Sequence, residues 1–158
     1  MRTAKSFEHL VEVSAAQNIK YVRLFHLPPQ GARYIARGKV IPQRMPCDFV
    51  GVESGTGRAI YFDAKSSVAE RRFDLSLEHV ALHQRTWLID VGREGAISGL
   101  LVEARHPDLE MIYWIPWQLL AVPGVEWDDP RLLTLGPNDR LIDFGELMRR
   151  LNGPAEAA

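Results

Sequence analysis

The sequence predicts an α/β fold: one mixed sheet with helices packed on it. Three observations carry that prediction. Stretches with helical three- and four-residue spacing alternate with short strand-like runs, in the order α-β-β-β-α-β-β-α. Residues 96–102 are almost continuously apolar, as in a strand buried on both faces. Residues 46–65 read as a β-hairpin, with strands at 49–52 and 59–65 around turn chemistry at 53–57 that includes Ser54, Gly55 and Gly57. At 158 residues the chain is long enough for a single core, and a single domain over residues 1–154 is expected.

Taken in order, Ser6 is the expected N-cap of a first helix over residues 8–21. Phe7, Leu10, Val11, Ser14 and Ala15 share one face, with Glu8 and Glu12 one turn apart along its edge. Residues 22–25 read as a strand that Pro28 and Pro29 end. Residues 30–44 are basic, with too little apolar periodicity for a helix. They read as an extended or partly helical projection placed before the hairpin.

After the hairpin, residues 66–74 are polar and include the adjacent Arg71 and Arg72. A second helix is expected over 75–91, with Leu77, Val80, Ala81, Gln84, Leu88 and Val91 as its stripe and Gly92 and Gly95 as its stop. Gln84 is an unusual amide on such a face. Strands follow at 96–104 and 111–115, separated by a turn at His106, Pro107 and Asp108. Pro116 opens a short helix at 117–121. Residues 124–139 are rich in loop formers, and Leu141 and Ile142 read as a small strand. Asp143 caps a last helix at 144–151, and residues 155–158 read as a frayed tail.

Composition excludes several classes. With 46% hydrophobic and 25% charged residues, this is an ordinary globular composition. No run approaches the roughly 18 apolar residues of a membrane span, and no hydrophobic leader is expected. Cys47 is the one cysteine, so an intramolecular disulfide and a cysteine-based zinc site are ruled out. A cytoplasmic setting is the simplest expectation. The net charge of −1 hides an asymmetry: residues 1–44 carry 8 Lys+Arg against 2 Asp+Glu, a balance of +6, leaving −7 for the rest. A basic face of that kind suits a polyanion.

The hairpin also carries the chemistry. Residues two apart on a strand share a face, so Asp63 and Lys65 project together. Asp48, at the start of the first strand, comes opposite the end of the second. Two carboxylates suit a hard divalent cation such as Mg²⁺, with the carbonyl of Ala64 as a further oxygen ligand. A cation there polarises a phosphate and acidifies a bound water. Lysine neutralises developing charge or positions the attacking water. The alternative is an exposed Asp63–Lys65 ion pair, worth about 0–1 kcal/mol, with Asp48 capping a turn.

These residues also resemble a known family. Pro46 and Asp48, followed by Asp63-Ala64-Lys65, look like a variant of the PD-(D/E)xK nuclease core, whose fold is restriction-endonuclease-like. Residues 61–67, the Phe73-Asp74-Leu75 that follows, and the 78–84 stretch with His79, His83 and Gln84 resemble RecU-type Holliday junction resolvases of bacteria and their phages. The resemblance covers roughly residues 6–120 and is most specific over 48–84.

It implies that Asp48, Asp63, Lys65 and Gln84 are catalytic. Asp48, Asp63, the Ala64 carbonyl and Glu8 would hold Mg²⁺, with Mn²⁺ able to substitute and Glu12 competing with Glu8. Residues 30–45 occupy the place of the family's stalk. The expected DNA contacts are Arg33, Arg37, Lys39, Arg44, Arg71, Arg72 and Arg85. Branched DNA is the expected partner, cut by a homodimer without a small-molecule cofactor. Asp63 replaces the usual Glu and reaches one methylene less far. Ser66-Ser67 replaces Glu-Thr after the lysine, and the stalk is short.

Rival readings are weaker. His79 and His83 have zinc-compatible spacing without a third soft ligand. Cys47, beside Asp48, is a packing residue before it is a nucleophile. Residues 54–57 are Gly-rich but lack the lysine and helix of a phosphate loop. Tyr113, Trp114 and Trp117 are the aromatic candidates for a dimer interface. Two other functions stay open: a restriction- or repair-type nuclease on the same core, and a DNA-binding protein that keeps the fold without catalysis.

Overall fold

The computed structural model describes residues 4–27, 33–36, 39–42, 46–76 and 80–153, with the backbone alone at 4–5, 33–36 and 39–42. Helix α1 (Ala4–Gln17) leads into strand β1 (Val22–His26). Strands β2 (Arg33–Ala36) and β3 (Lys39–Pro42) follow, then β4 (Phe49–Glu53), β5 (Ala59–Ser67) and the short β6 (Arg72–Asp74). Helix α2 (Leu82–Arg93) connects to β7 (Ile97–Ala104) and β8 (Met111–Pro116). The chain ends with β9 (Gly124–Glu126), β10 (Leu133–Pro137) and α3 (Phe144–Leu151).

The main sheet has six strands in the order β1-β4-β5-β7-β8-β10. It is mixed: β5 and β7 are parallel and its other pairs are antiparallel. A parallel pair needs a crossover, and α2 supplies it. The path α1, three antiparallel strands, α2 and a strand parallel to the third is the α/β arrangement that the sequence predicted.

Two cores sit on opposite faces of the sheet. On one, Phe7, Val11 and Ala15 of α1 pack with Phe49, Ile60 and Phe62, and with Phe144, Leu147 and Met148 of α3. On the other, Leu88 of α2 packs with Leu100, Val102 and Ala104. Central β7 is buried along its whole length, which explains its continuous apolar run.

Several expectations change. Ser6 lies inside α1 and is not its cap. The 30–44 segment holds no described helix. Its two described stretches, β2 and β3, pair with each other from Arg33↔Pro42 to Ala36↔Lys39 and stand apart from the main sheet. Helix α2 begins at Leu82, later than expected. Leu75 is still extended, its N–H donating to the Pro123 carbonyl at 2.9 Å, because β6 pairs with β9. That pairing joins segments about fifty residues apart and has no local signature. Leu77 lies outside the described residues. Gly92 sits within α2, where a Cβ would stand 2.3 Å from the Trp117 ring, and Gly95, with φ of 104°, is the residue that turns the chain.

Residues 117–119 form a 3₁₀ turn in place of an α-helix. The last strand is β10, not 141–142, because Leu133 and Thr134 find Trp114 and Tyr113 as partners. Asp143 caps α3 as expected, accepting from the Glu146 N–H at 2.9 Å. Tyr113 and Trp114 are buried within this chain. They are core residues and are withdrawn as interface candidates.

The hairpin turn is tied down from α3. Gly57, with φ of 72°, closes the turn by donating to the Glu53 carbonyl. The Glu53 carboxylate, 4% exposed, accepts from the Thr56 hydroxyl and from Asn152 Nδ2 at 2.7 Å. Asn152 in turn accepts from Arg58 Nη1 at 3.1 Å. Truncation of Asn152 strands a buried carboxylate oxygen. Asn152→Ala is therefore expected to cost about 1–3 kcal/mol, read as a lower urea midpoint with an unchanged m-value.

Candidate active site

Alternation along β5 decides where the polar groups stand. Ile60, Phe62 and Ala64 join the α1/α3 core. Tyr61 packs on the other side, its ring edge-on to Trp87 of α2 at 4.7 Å. Asp63 and Lys65 share the α2 face with Tyr61. Phe49 pairs with Phe62, so Asp48, one residue before β4, falls opposite Asp63.

The two aspartates are locked by reciprocal hydrogen bonds. The Asp48 N–H donates to Asp63 Oδ1 at 2.9 Å, and the Ala64 N–H donates to Asp48 Oδ2 at 2.9 Å. Lys65 Nζ stands 3.4 Å from Asp63 Oδ2. The surface ion-pair alternative does not describe this pair, because Asp63 is 0% exposed. Burial, and then the neighbouring Asp48 charge, push the Asp63 carboxyl up to about 6, while Lys65 pulls it the other way.

Asp63 Oδ2 is buried and makes no hydrogen bond among the described residues. That oxygen faces the Lys65 ammonium at 3.4 Å and stands beside a second carboxylate, an oxygen-rich setting that could hold a hard cation. The donor set fits Mg²⁺: two carboxylates, with the Ala64 carbonyl between Asp63 and Lys65 in the chain. Among the described residues no group of three His, Cys, Asp or Glu side chains forms a metal cluster. The structure therefore does not bring Glu8 to the pair. Glu8 lies 3.6 Å from His26 Nε2, and Glu12 is 2.8 Å from His26 Nδ1, on the α1 side of the sheet.

Gln84 is half-buried in the first turn of α2, one turn before buried Leu88, and so on the face turned to the sheet. His83, beside it, is exposed; His79 lies outside the described residues. Cys47 is buried in the α2-side core, the packing position expected of it. Burial, with the Asp63 and Asp48 charges, pushes its thiol up to about 12, and Sγ donates to the Phe49 carbonyl.

The expected DNA contacts divide. Arg85 is committed inward: Nη1 donates to the Leu75 carbonyl at 2.6 Å and Nε to Leu120 at 3.1 Å. It ties α2 to two loops and is reassigned from DNA binding to structure. The Arg72 guanidinium lies against Gly124, where a Cβ would be 2.1 Å from Nε. Arg71 is exposed. Arg33 and Lys39 fall on β2 and β3, and Arg37 and Arg44 lie outside the described residues. His26, at the end of β1, is one of the chain's five histidines, and its place beside two acids of α1 is set by the packing of that helix on the sheet.

A cavity of about 510 Å³, lined by Lys20, Tyr21, Glu53, Asp143, Arg149 and Asn152 among others, sits at the turn end of the hairpin. It is lined by neither Asp48 nor Asp63. The carboxylates occupy the other, open end.

No family model matches the chain, and no curated protein matches it. Among solved structures it is similar to Hjc of Archaeoglobus fulgidus, a Holliday junction resolvase from an archaeal hyperthermophile. The identity is 16%, over 78% of this chain and 88% of that chain, with a TM-score of 0.49. Among the described residues no helix is long and apolar enough to cross a membrane.

Proposed function

We propose that this chain is a divalent-metal-dependent endodeoxyribonuclease of the PD-(D/E)xK type that resolves four-way DNA junctions as a homodimer. The observation that supports it best is the locked Asp48–Asp63 pair, with the buried Asp63 Oδ2 facing Lys65 Nζ at 3.4 Å. A fold held only for its own sake gains nothing from a buried carboxylate set beside a second one. The choice of a junction over other DNA rests on the motif resemblance across residues 48–84.

Asp48, Asp63 and the Ala64 carbonyl would hold Mg²⁺, or Mn²⁺ in its place. When bound, the cation supplies Lewis-acid polarisation of the scissile phosphate and a more acidic water. Lys65 places a positive charge where negative charge grows on the phosphoryl oxygens. Gln84, entering from α2, orients the water by its amide. The basic projection, with Arg33, Arg37, Lys39 and Arg44, meets the phosphate backbone, and Arg71 adds an exposed cation after β5. In a homodimer two such sites would cut opposite strands of one junction.

Labelled four-way junctions, linear duplexes and flaps, incubated with Mg²⁺ or Mn²⁺, test this reading. Paired symmetrical nicks confined to junctions are expected. Cutting of duplex at a fixed sequence would move the assignment to a restriction-type enzyme, and binding without cleavage under both metals would overturn it. Arg33→Ala with Arg37→Ala should weaken junction binding and flatten the salt slope by about one for each phosphate no longer neutralised. An unmoved slope would remove the projection from the DNA interface.

A further inference from the structure

We infer that His26 is a positioning residue for the Asp48 carboxylate, acting through a stack of three rings that crosses the sheet. His26 pairs with Phe49 across β1 and β4, and Phe49 pairs with Phe62 across β4 and β5. The His26 and Phe49 rings stack at 4.5 Å and 11°, and the Phe49 and Phe62 rings at 5.0 Å and 12°. Each phenylalanine is the chain neighbour of a carboxylate on the opposite face: Phe49 follows Asp48, and Phe62 precedes Asp63. The stack on the α1 side therefore fixes the backbone from which both acids project.

The outer ring of the stack is itself held. Glu12 Oε1 is 2.8 Å from His26 Nδ1, and Glu8 Oε2 is 3.6 Å from Nε2. A phenylalanine at this place would stack but could not be anchored to α1. The next residue completes the link, since the Leu27 N–H donates to the Asp48 carbonyl at 2.7 Å. Strand β1 is at the edge of the main sheet, so within that sheet this end of it is held only by its pairing with β4. The two acids of α1, assigned to metal binding on the resemblance, act here one step removed, by fixing His26.

The inference deepens the nuclease reading and rests on it for its catalytic meaning, but its test is independent of metal and DNA. Amide hydrogen exchange is measured on the metal-free protein at Asp48 and Ala64, whose N–H groups make the two reciprocal hydrogen bonds. In His26→Ala both amides should exchange at least about tenfold faster, while β7 amides keep wild-type protection. His26→Phe, which keeps the stack and loses the anchor, should fall between the two and carries the test if His26→Ala does not fold. Wild-type exchange at both amides in the variants, or uniform acceleration of the whole sheet, would overturn the inference. Mn²⁺ affinity, read by paramagnetic relaxation of water protons, should fall about tenfold in His26→Ala. If the wild-type protein binds no Mn²⁺, the nuclease reading fails, and the exchange result still decides the role of His26.

Discussion

Asp63→Asn is expected to reduce junction cleavage by on the order of 10³-fold or more while leaving junction affinity within about twofold. The substitution is nearly isosteric. The amide oxygen can still accept the Asp48 N–H that now meets Asp63 Oδ1 at 2.9 Å. What disappears is the charge on Oδ2, the buried atom that makes no hydrogen bond among the described residues. A cation held by two carboxylates loses half of its anionic ligands, whereas the basic projection is untouched. Gel shift and cleavage on the same labelled junction separate the two effects. Cleavage at the wild-type rate would remove Asp63 from the metal site.

The second large effect is on stability, and its sign follows from the same atom. The Asp63 carboxyl titrates at about 6 in the folded chain against an ordinary value of 3.8. Between those values the folded state binds more protons than the unfolded state, so stability falls as pH rises through the window. The contribution is fully present below about pH 3.8 and is lost above about pH 6. Its upper limit is about 3 kcal/mol. In metal-free protein the urea midpoint of wild type, relative to Asp63→Asn, should therefore drop between pH 4 and pH 7. Adding Mg²⁺ at pH 7 should restore it, because a cation favours the ionised form that burial disfavours, and chelation should reverse the gain. Absence of any Mg²⁺ effect, with the pH effect intact, would leave a strained carboxylate pair without a cation role. The comparison with Asp63→Asn matters because an acid paired with arginine runs the other way: hydrogen bonds from Arg131 lower Asp129 to about 2.

Much of this site was legible before the fold was known. Period-two alternation puts Asp63 and Lys65 on one face, and a turn of five residues brings Asp48 opposite Asp63. Both are consequences of strand geometry that hold wherever the hairpin forms. The amide at Gln84 stood out because an apolar stripe has no local use for it. Helix α3 was legible from its cap, and β7 from its unbroken apolar run.

Other features depended on partners remote in sequence. The pairing of β6 with β9 set the late start of α2, and β10 became a strand because β8 offered it an edge. Arg85 carries the same charge as any surface arginine in the sequence, and only the carbonyls of Leu75 and Leu120 show that it faces inward. Glu8 and Glu12 lie on the correct helix but across the sheet from the aspartates, which a helical pattern cannot reveal because it does not say which face of a sheet the helix will cover.

By itself, then, the sequence determined the mixed α/β class, the hairpin, and the convergence of Asp48, Asp63 and Lys65, because local periodicity is written residue by residue. Only the tertiary structure decided that Asp63 is fully buried beside Lys65, that the His26 ring stacks on Phe49 on the other face of the sheet, and that Glu12 lies 2.8 Å from that imidazole. Burial and the partners of a charge are properties of what the rest of the chain brings to the spot.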